Sequence, residues 1–106
     1  MTLYEQRIYQ IGIGKMPEML KHETDLFAAM EAEGFAKHCV GYFVSDTGPL
    51  HQLIHLWRFA DDAERRDFWK RFYASEKVLA VVPNIRALIQ SQEVRLMTGA
   101  PFGPKP

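Results

Sequence analysis

Apolar and polar residues alternate along LYEQRIYQ, residues 3–10, and the glycines of IGIG close the run, so a strand is predicted there. The period then changes. Met16, Met19, Leu20, Glu23, Leu26, Phe27 and Met30 recur at three- and four-residue steps, one helical stripe running from Lys15 to about Glu33. Pro17 stands in the first turn, where its missing N–H costs least, and Gly34 follows as a terminator. HCVGYFVSD, residues 38–46, reads as a second strand. A turn of Asp46, Thr47, Gly48 and Pro49 leads from it into a third, HQLIHLWRF, residues 51–59. Asp61 and Glu64 have the spacing of a capping box and open a second helix, whose apolar face is Phe68, Trp69, Phe72 and Tyr73. VLAVVP, residues 78–83, is a short apolar turn, and a last strand falls within IRALIQSQEVRLM, residues 85–97.

The order β-α-β-β-α-β, with right-handed crossovers, predicts an α+β fold of the ferredoxin-like type: an antiparallel sheet with two helices on one face. One domain over residues 1–98 accounts for all of it. The remaining GAPFGPKP, residues 99–106, has three prolines and two glycines and reads as a flexible tail. The third strand is apolar on both faces. His51, Leu53, His55, Trp57 and Phe59 share one, and Ile54 and Leu56 stand on the other. Assigning the aliphatic positions to the helices puts Tyr4, Ile8, Ile54, Leu56, Val94 and Leu96 under them. The bare face then carries Leu3, Glu5, Arg7, Tyr9, Leu53, His55, Trp57, Phe59, Ser91, Glu93, Arg95 and Met97. That face is too apolar to meet water and too charged for a dry core, so a homodimer through the open sheet faces, around a partly polar cavity, is expected. This assignment also places Gln6 and Gln92 beneath the helices, and a one-residue slip would exchange the faces.

Composition narrows the function classes. The 106 residues carry 13 Lys plus Arg against 13 Asp plus Glu, without the basic excess of a nucleic-acid groove. No apolar run reaches the roughly 20 residues of a membrane helix, so no membrane span is expected. MTLYEQRIYQ lacks a charged-then-apolar leader pattern, and the single cysteine, Cys39, suits a reducing compartment; a cytoplasmic location is expected.

His51 and His55 invite a metal reading, but four residues along a strand separate them by roughly 13 Å, too far to share one ion. No metal and no cofactor is expected. Cys39 beside His38 does not make a nucleophile and base, because adjacent strand residues point to opposite faces. Glu5 with Arg7 and Glu93 with Arg95 repeat one charge pattern on neighbouring strands. A cross-strand ion-pair ladder is one reading; arginines holding a ligand's carboxylate or enolate is the other. His55, between Trp57 and the neighbouring Arg7 and Tyr9, is the candidate for proton-transfer chemistry, against the alternative of an interface histidine with Trp57 as packing.

Several of these stretches occur together in one known family. EQRIYQIGIGKMPE, VGYFVSDTGPLHQLIHLWRFADDAERR and PNIRALIQSQEVRLM resemble the NIPSNAP family in order and spacing. The matches are Glu5, Arg7 and Tyr9 to a Glu-x-Arg-x-Tyr strand, Gly41 and Tyr42 to a hairpin, His55 and Trp57 to a His-x-Trp strand, and Ser91, Glu93 and Arg95 to a Ser-x-Glu-x-Arg strand. The resemblance implies a dimeric α/β barrel, a superfamily holding cofactor-free oxygenases, isomerases, haem binders and members without known activity. Two functional classes therefore stay open. One is a dimer binding a small organic molecule, with His55 as base, Arg7 and Arg95 on the anionic group, Glu5 and Glu93 paired to them, and Tyr9 and Trp57 shaping the pocket. The other is a non-catalytic protein-interaction module displaying Trp69 and Tyr73.

Overall fold

A computed structural model describes residues 1–106. Its elements run β1 (Leu3–Ile11), α1 (Met16–Ala32), β2 (Cys39–Val44), β3 (Gln52–Phe59), α2 (Asp62–Phe72), α3 (Glu76–Leu79), α4 (Val82–Arg86) and β4 (Ile89–Thr98), with a 3-10 turn at Ala36–His38 before β2. The four strands form one antiparallel sheet in the order β2-β3-β1-β4, the α+β arrangement expected. The thinnest dimension, 19 Å, is that of one helix layer on one sheet. No helix is long and apolar enough to cross a membrane.

Local chemistry sets the helix ends. Gly34, at φ 78°, ends α1: its N–H donates to the Glu31 carbonyl at 3.2 Å and the Phe35 N–H to the Met30 carbonyl at 2.8 Å. This is the Schellman pattern, which needs a left-handed residue at that position. The Asp61 carboxylate accepts the Glu64 N–H at 2.8 Å and starts α2. VLAVVP is not a simple turn. The Ser75 hydroxyl accepts the Val78 N–H at 3.4 Å to open α3, and Pro83 stands in the first turn of α4 instead of ending an apolar run.

The sheet faces differ from the expectation on two strands. Register pairs Leu3 with Phe59, Glu5 with Trp57, Arg7 with His55 and Tyr9 with Leu53, and this face lies under the helices. Tyr4, Gln6, Ile8, Ile54 and Leu56 are on the open face, together with Phe43 of β2. β4 follows the expected parity: Gln6 stands opposite Arg95 and Ile8 opposite Glu93, so Glu93 and Arg95 are on the open face and Val94 and Leu96 on the helix side. The inversion has a physical cause. Burying Tyr9, Ile11, Leu53, Trp57 and Phe59 removes five large apolar side chains from water, worth roughly 10 kcal/mol at about 2 kcal/mol each. The smaller aliphatic set of Ile8, Ile54 and Leu56 cannot match that area. The charged residues that share the winning face are accommodated by partners from the helices.

The core is the layer between helices and sheet. Met19, Leu26 and Met30 of α1 and Phe68 and Phe72 of α2 close over Trp57 and Phe59, with Val78, Val82 and Ile85 sealing one side. His51 lies just outside β3, at φ 62°, whereas His55 is within it.

Candidate functional site

A cavity of about 110 Å³ lies between the helices and the sheet. Its floor is Arg7 and Tyr9 of β1 with His55 and Trp57 of β3. Glu23, Leu26 and Met30 of α1, Tyr42 of β2, Trp69 and Phe72 of α2 and Ile85 of α4 form its walls, and Tyr73, Arg86 and Gln92 stand on its exposed side. Larger depressions occur elsewhere, the widest beside Lys37, His38 and Arg58. That one is a surface feature whose histidine already contacts the Arg58 carbonyl and the Glu64 carboxylate, each at 3.2 Å.

The strands put Arg7, Tyr9, His55 and Trp57 on one face because they are odd-numbered residues on register-paired strands. Glu5 shares that face and is fully buried beside the cavity. One of its oxygens accepts the Arg7 Nε–H at 2.5 Å; the other accepts from Arg65 Nε and from Trp69 Nε1, the latter at 3.1 Å. Arg7 also lies 4.0 Å from the centroid of the Trp69 ring and donates to the Tyr9 hydroxyl at 3.5 Å. The Glu5–Arg7 pair therefore runs along one strand and is tied to α2, and Glu93 and Arg95 stand on the other face of the sheet. The cross-strand ladder does not form. Five of the seven residues singled out from the sequence come together, and Glu93 and Arg95 do not join them.

His55 sits deepest. Its ring centroid is 4.3 Å from that of Tyr42 and 4.9 Å from that of Tyr9. Its Nε2 is 3.6 Å from a Glu23 oxygen, just beyond hydrogen-bond length. Burial, helped by the charge of Arg7, pushes the His55 pKa down to about 3, and burial pushes the Glu23 carboxyl up to about 7. At slightly acid pH both groups are neutral, so this contact is not an ion pair. Glu23 Oε2, His55 Nε2 and Trp57 Nε1 have no hydrogen-bond partner within the protein, although their residues are only 7, 5 and 2% exposed. Three such groups lining one cavity are unusual for a packed core.

Glu23, Tyr42 and Arg65 were not among the candidates read from the sequence. Glu23 had a signal: it is the only charged residue in the apolar stripe of α1. Arg65 had none, since its partner lies 60 residues away. Trp69, read as helix packing, is half-buried and bonded to Glu5, whereas Tyr73 is exposed. No three His, Cys, Asp or Glu side chains converge on a point that could hold a metal ion.

One antiparallel sheet, helices on one side and a polar-floored cavity between the layers define an α+β protein of the ferredoxin-like type. Residues 4–104 match the model of the NIPSNAP family, and the chain belongs to that family. It is 32% identical to human NipSnap homolog 2 over 100 residues, covering 91% of this chain. The chain spans about a third of the length of the curated relatives it matches. Among solved structures, a NIPSNAP family protein from Agrobacterium tumefaciens superposes with a TM-score of 0.88 at 34% identity, covering 96% of this chain and 89% of that one. A structure described as an antibiotic biosynthesis monooxygenase superposes with a TM-score of 0.64 at 20% identity, covering 93% and 99%, and shows the shared fold.

Proposed function

We propose that the chain binds a small organic molecule in the cavity between helices and sheet and exchanges a proton with it through Glu23, with His55 beside it. The observation that carries this reading is the set of three deeply buried polar atoms, Glu23 Oε2, His55 Nε2 and Trp57 Nε1, left without protein partners around one cavity. A buried donor or acceptor without a partner costs about 1–3 kcal/mol, a cost that a bound ligand's polar groups would offset. With its pKa near 7, Glu23 is the group that titrates in the neutral range and so the better proton acceptor. His55 is too weak a base at that pH, and its unpartnered Nε2 is left to hydrogen-bond the ligand. The step is abstraction of a proton α to a carbonyl. The C–H bond breaks, the proton goes to a Glu23 oxygen, and the electron pair moves onto the carbonyl oxygen as an enolate. Cofactor-free isomerisation and oxygenation both begin this way.

A panel of small ketones and keto acids incubated with the protein in D2O tests it by proton NMR. Protein-dependent exchange at the α-carbon, lost in Glu23→Gln, is expected. Exchange no faster than in buffer across the panel would remove the reading.

The open face supports a second proposal, a homodimer through that face. Ile8, Ile54, Leu56 and the half-exposed Phe43 form its apolar part, with Glu93 and Arg95 beside them. Light scattering on the eluting protein should give twice the chain mass, and Phe43→Glu with Leu56→Glu should give the chain mass alone. A wild-type monomer at micromolar concentration would refute it. The interaction-module reading loses support because Trp69, one of its two display residues, is bonded into the cavity wall.

A further inference from the structure

We propose that the ligand of this cavity is a compact organic anion, a carboxylate or enolate on a carbon skeleton of about one small ring, held by Arg7. The inference rests on the ligand-binding reading above and names the class of ligand. Charge counting leads to it. Glu5, the acid beneath the cavity, contacts two guanidinium groups, those of Arg65 and Arg7. Arg65 also lies 3.6 Å from Asp62, which is paired with Arg66 at 2.6 Å, so three guanidinium groups face two carboxylates and one positive charge is left over; of the three arginines, Arg7 lines the cavity. Of the five N–H groups of Arg7, two have partners, Nε–H on Glu5 and one Nη1–H on Tyr9. Stacking on Trp69 fixes the plane of the guanidinium, so its remaining N–H groups are held in the fork that suits a planar oxyanion. The only other charged residues lining the cavity are Arg86, on the exposed side, and Glu23.

Size limits the skeleton. A closed cavity of about 150 Å³ takes up benzene, so the 110 Å³ here suits a five-membered ring or a chain of similar bulk. Leu26, Met30, Phe72 and Ile85 supply the apolar surface for it.

The test uses three probes of one shape and different charge: 2-furoate, 2-furamide and furan-2-carboxamidinium. The two tryptophans of the chain, Trp57 and Trp69, both line the cavity, so their indole N–H signals in a nitrogen-proton NMR spectrum report occupancy. Furoate should shift both signals with a Kd at least about tenfold below that of furamide, the increment of one charge-assisted hydrogen bond. The amidinium should leave them unmoved. Arg7→Gln should weaken furoate to the level of furamide and leave furamide unchanged. If that variant does not fold, the comparison of probes on the wild-type protein decides alone. Furamide binding as tightly as furoate would overturn the anion class and leave the cavity's ligand role intact. Three silent probes would overturn the anion class as well, and the α-exchange measurement then decides separately whether the cavity acts on ligands at all.

Discussion

Glu23 gives the sharpest quantitative prediction, because its carboxyl is held near pH 7 by burial alone. Its ordinary value is 4.5, so the folded state binds the proton more tightly than the unfolded chain does. Below pH 4.5 both states are protonated and Glu23 has no effect on stability. As pH rises through the window from 4.5 to 7, the unfolded chain ionises first and the folded state becomes progressively disfavoured. Above 7 both are ionised and the folded protein carries the whole penalty, about 3 kcal/mol for a shift of this size. Glu23→Gln keeps the shape and removes the charge. It should therefore match the wild type near pH 4.5 and exceed its stability by about 3 kcal/mol at pH 8.

Urea denaturation of both proteins at a series of pH values, at one fixed concentration, reads this difference directly. His55 titrates in the opposite sense. Its depressed pKa means the unfolded chain takes up protons that the folded state refuses, so it destabilises the fold as pH falls below about 6.5. That contribution is common to both proteins and cancels in the comparison to the extent that the two sites act independently. A difference that does not change between pH 5 and 8, or a wild type more stable than Glu23→Gln at pH 8, would refute the argument that Glu23 is desolvated and unpaired.

Glu5→Gln removes the counterion of Arg7 and Arg65 inside the core and should cost about 3–5 kcal/mol, read as a fall in the urea midpoint. Gly34→Ala puts a Cβ on a residue at φ 78° and should cost about 1–2 kcal/mol by the same measurement. Arg95→Ala should leave the indole signals of Trp57 and Trp69 where they are, because Arg95 is on the other face of the sheet; movement of both would contradict the register.

Element types were legible because period carries them. The alternation at residues 3–10 and the stripe from Met16 to Met30 gave β1 and α1 to within a residue or two, and the Asp61–Glu64 spacing gave the start of α2. Proline was the weaker guide at Pro83, because the same fixed φ that ends one segment also starts a helix. The assignment of faces failed on β1 and β3 and held on β4, and the difference is instructive. Period two says which residues share a face, never which face is covered. On β4 the apolar pair Val94 and Leu96 does share the helix side, but at this edge strand both stay about half-exposed, so the strand's parity cost little either way. On β1 and β3 both faces were greasy, and polarity argued for exposing Glu5, Arg7 and His55. Aromatic area argued the other way and prevailed, because Arg65, Trp69 and Glu23 were available to meet those polar groups.

The candidate site was therefore found for partly wrong reasons. Glu5, Arg7, Tyr9, His55 and Trp57 were grouped correctly because strand parity groups them wherever the helices lie. Glu93 and Arg95 were added because their pattern echoes Glu5 and Arg7, yet the register sets Arg95 opposite Gln6 and Glu93 opposite Ile8. Two identical motifs on adjacent antiparallel strands share a face only if their register offset is even, and no property of either motif fixes that offset. The residue that completes the cavity, Glu23, comes from the helix layer. Its place was marked by the simplest anomaly in the chain, a carboxylate where the helical period calls for an apolar side chain. Such a residue either breaks the core or is kept by a task, and here it lies 3.6 Å from an equally buried histidine.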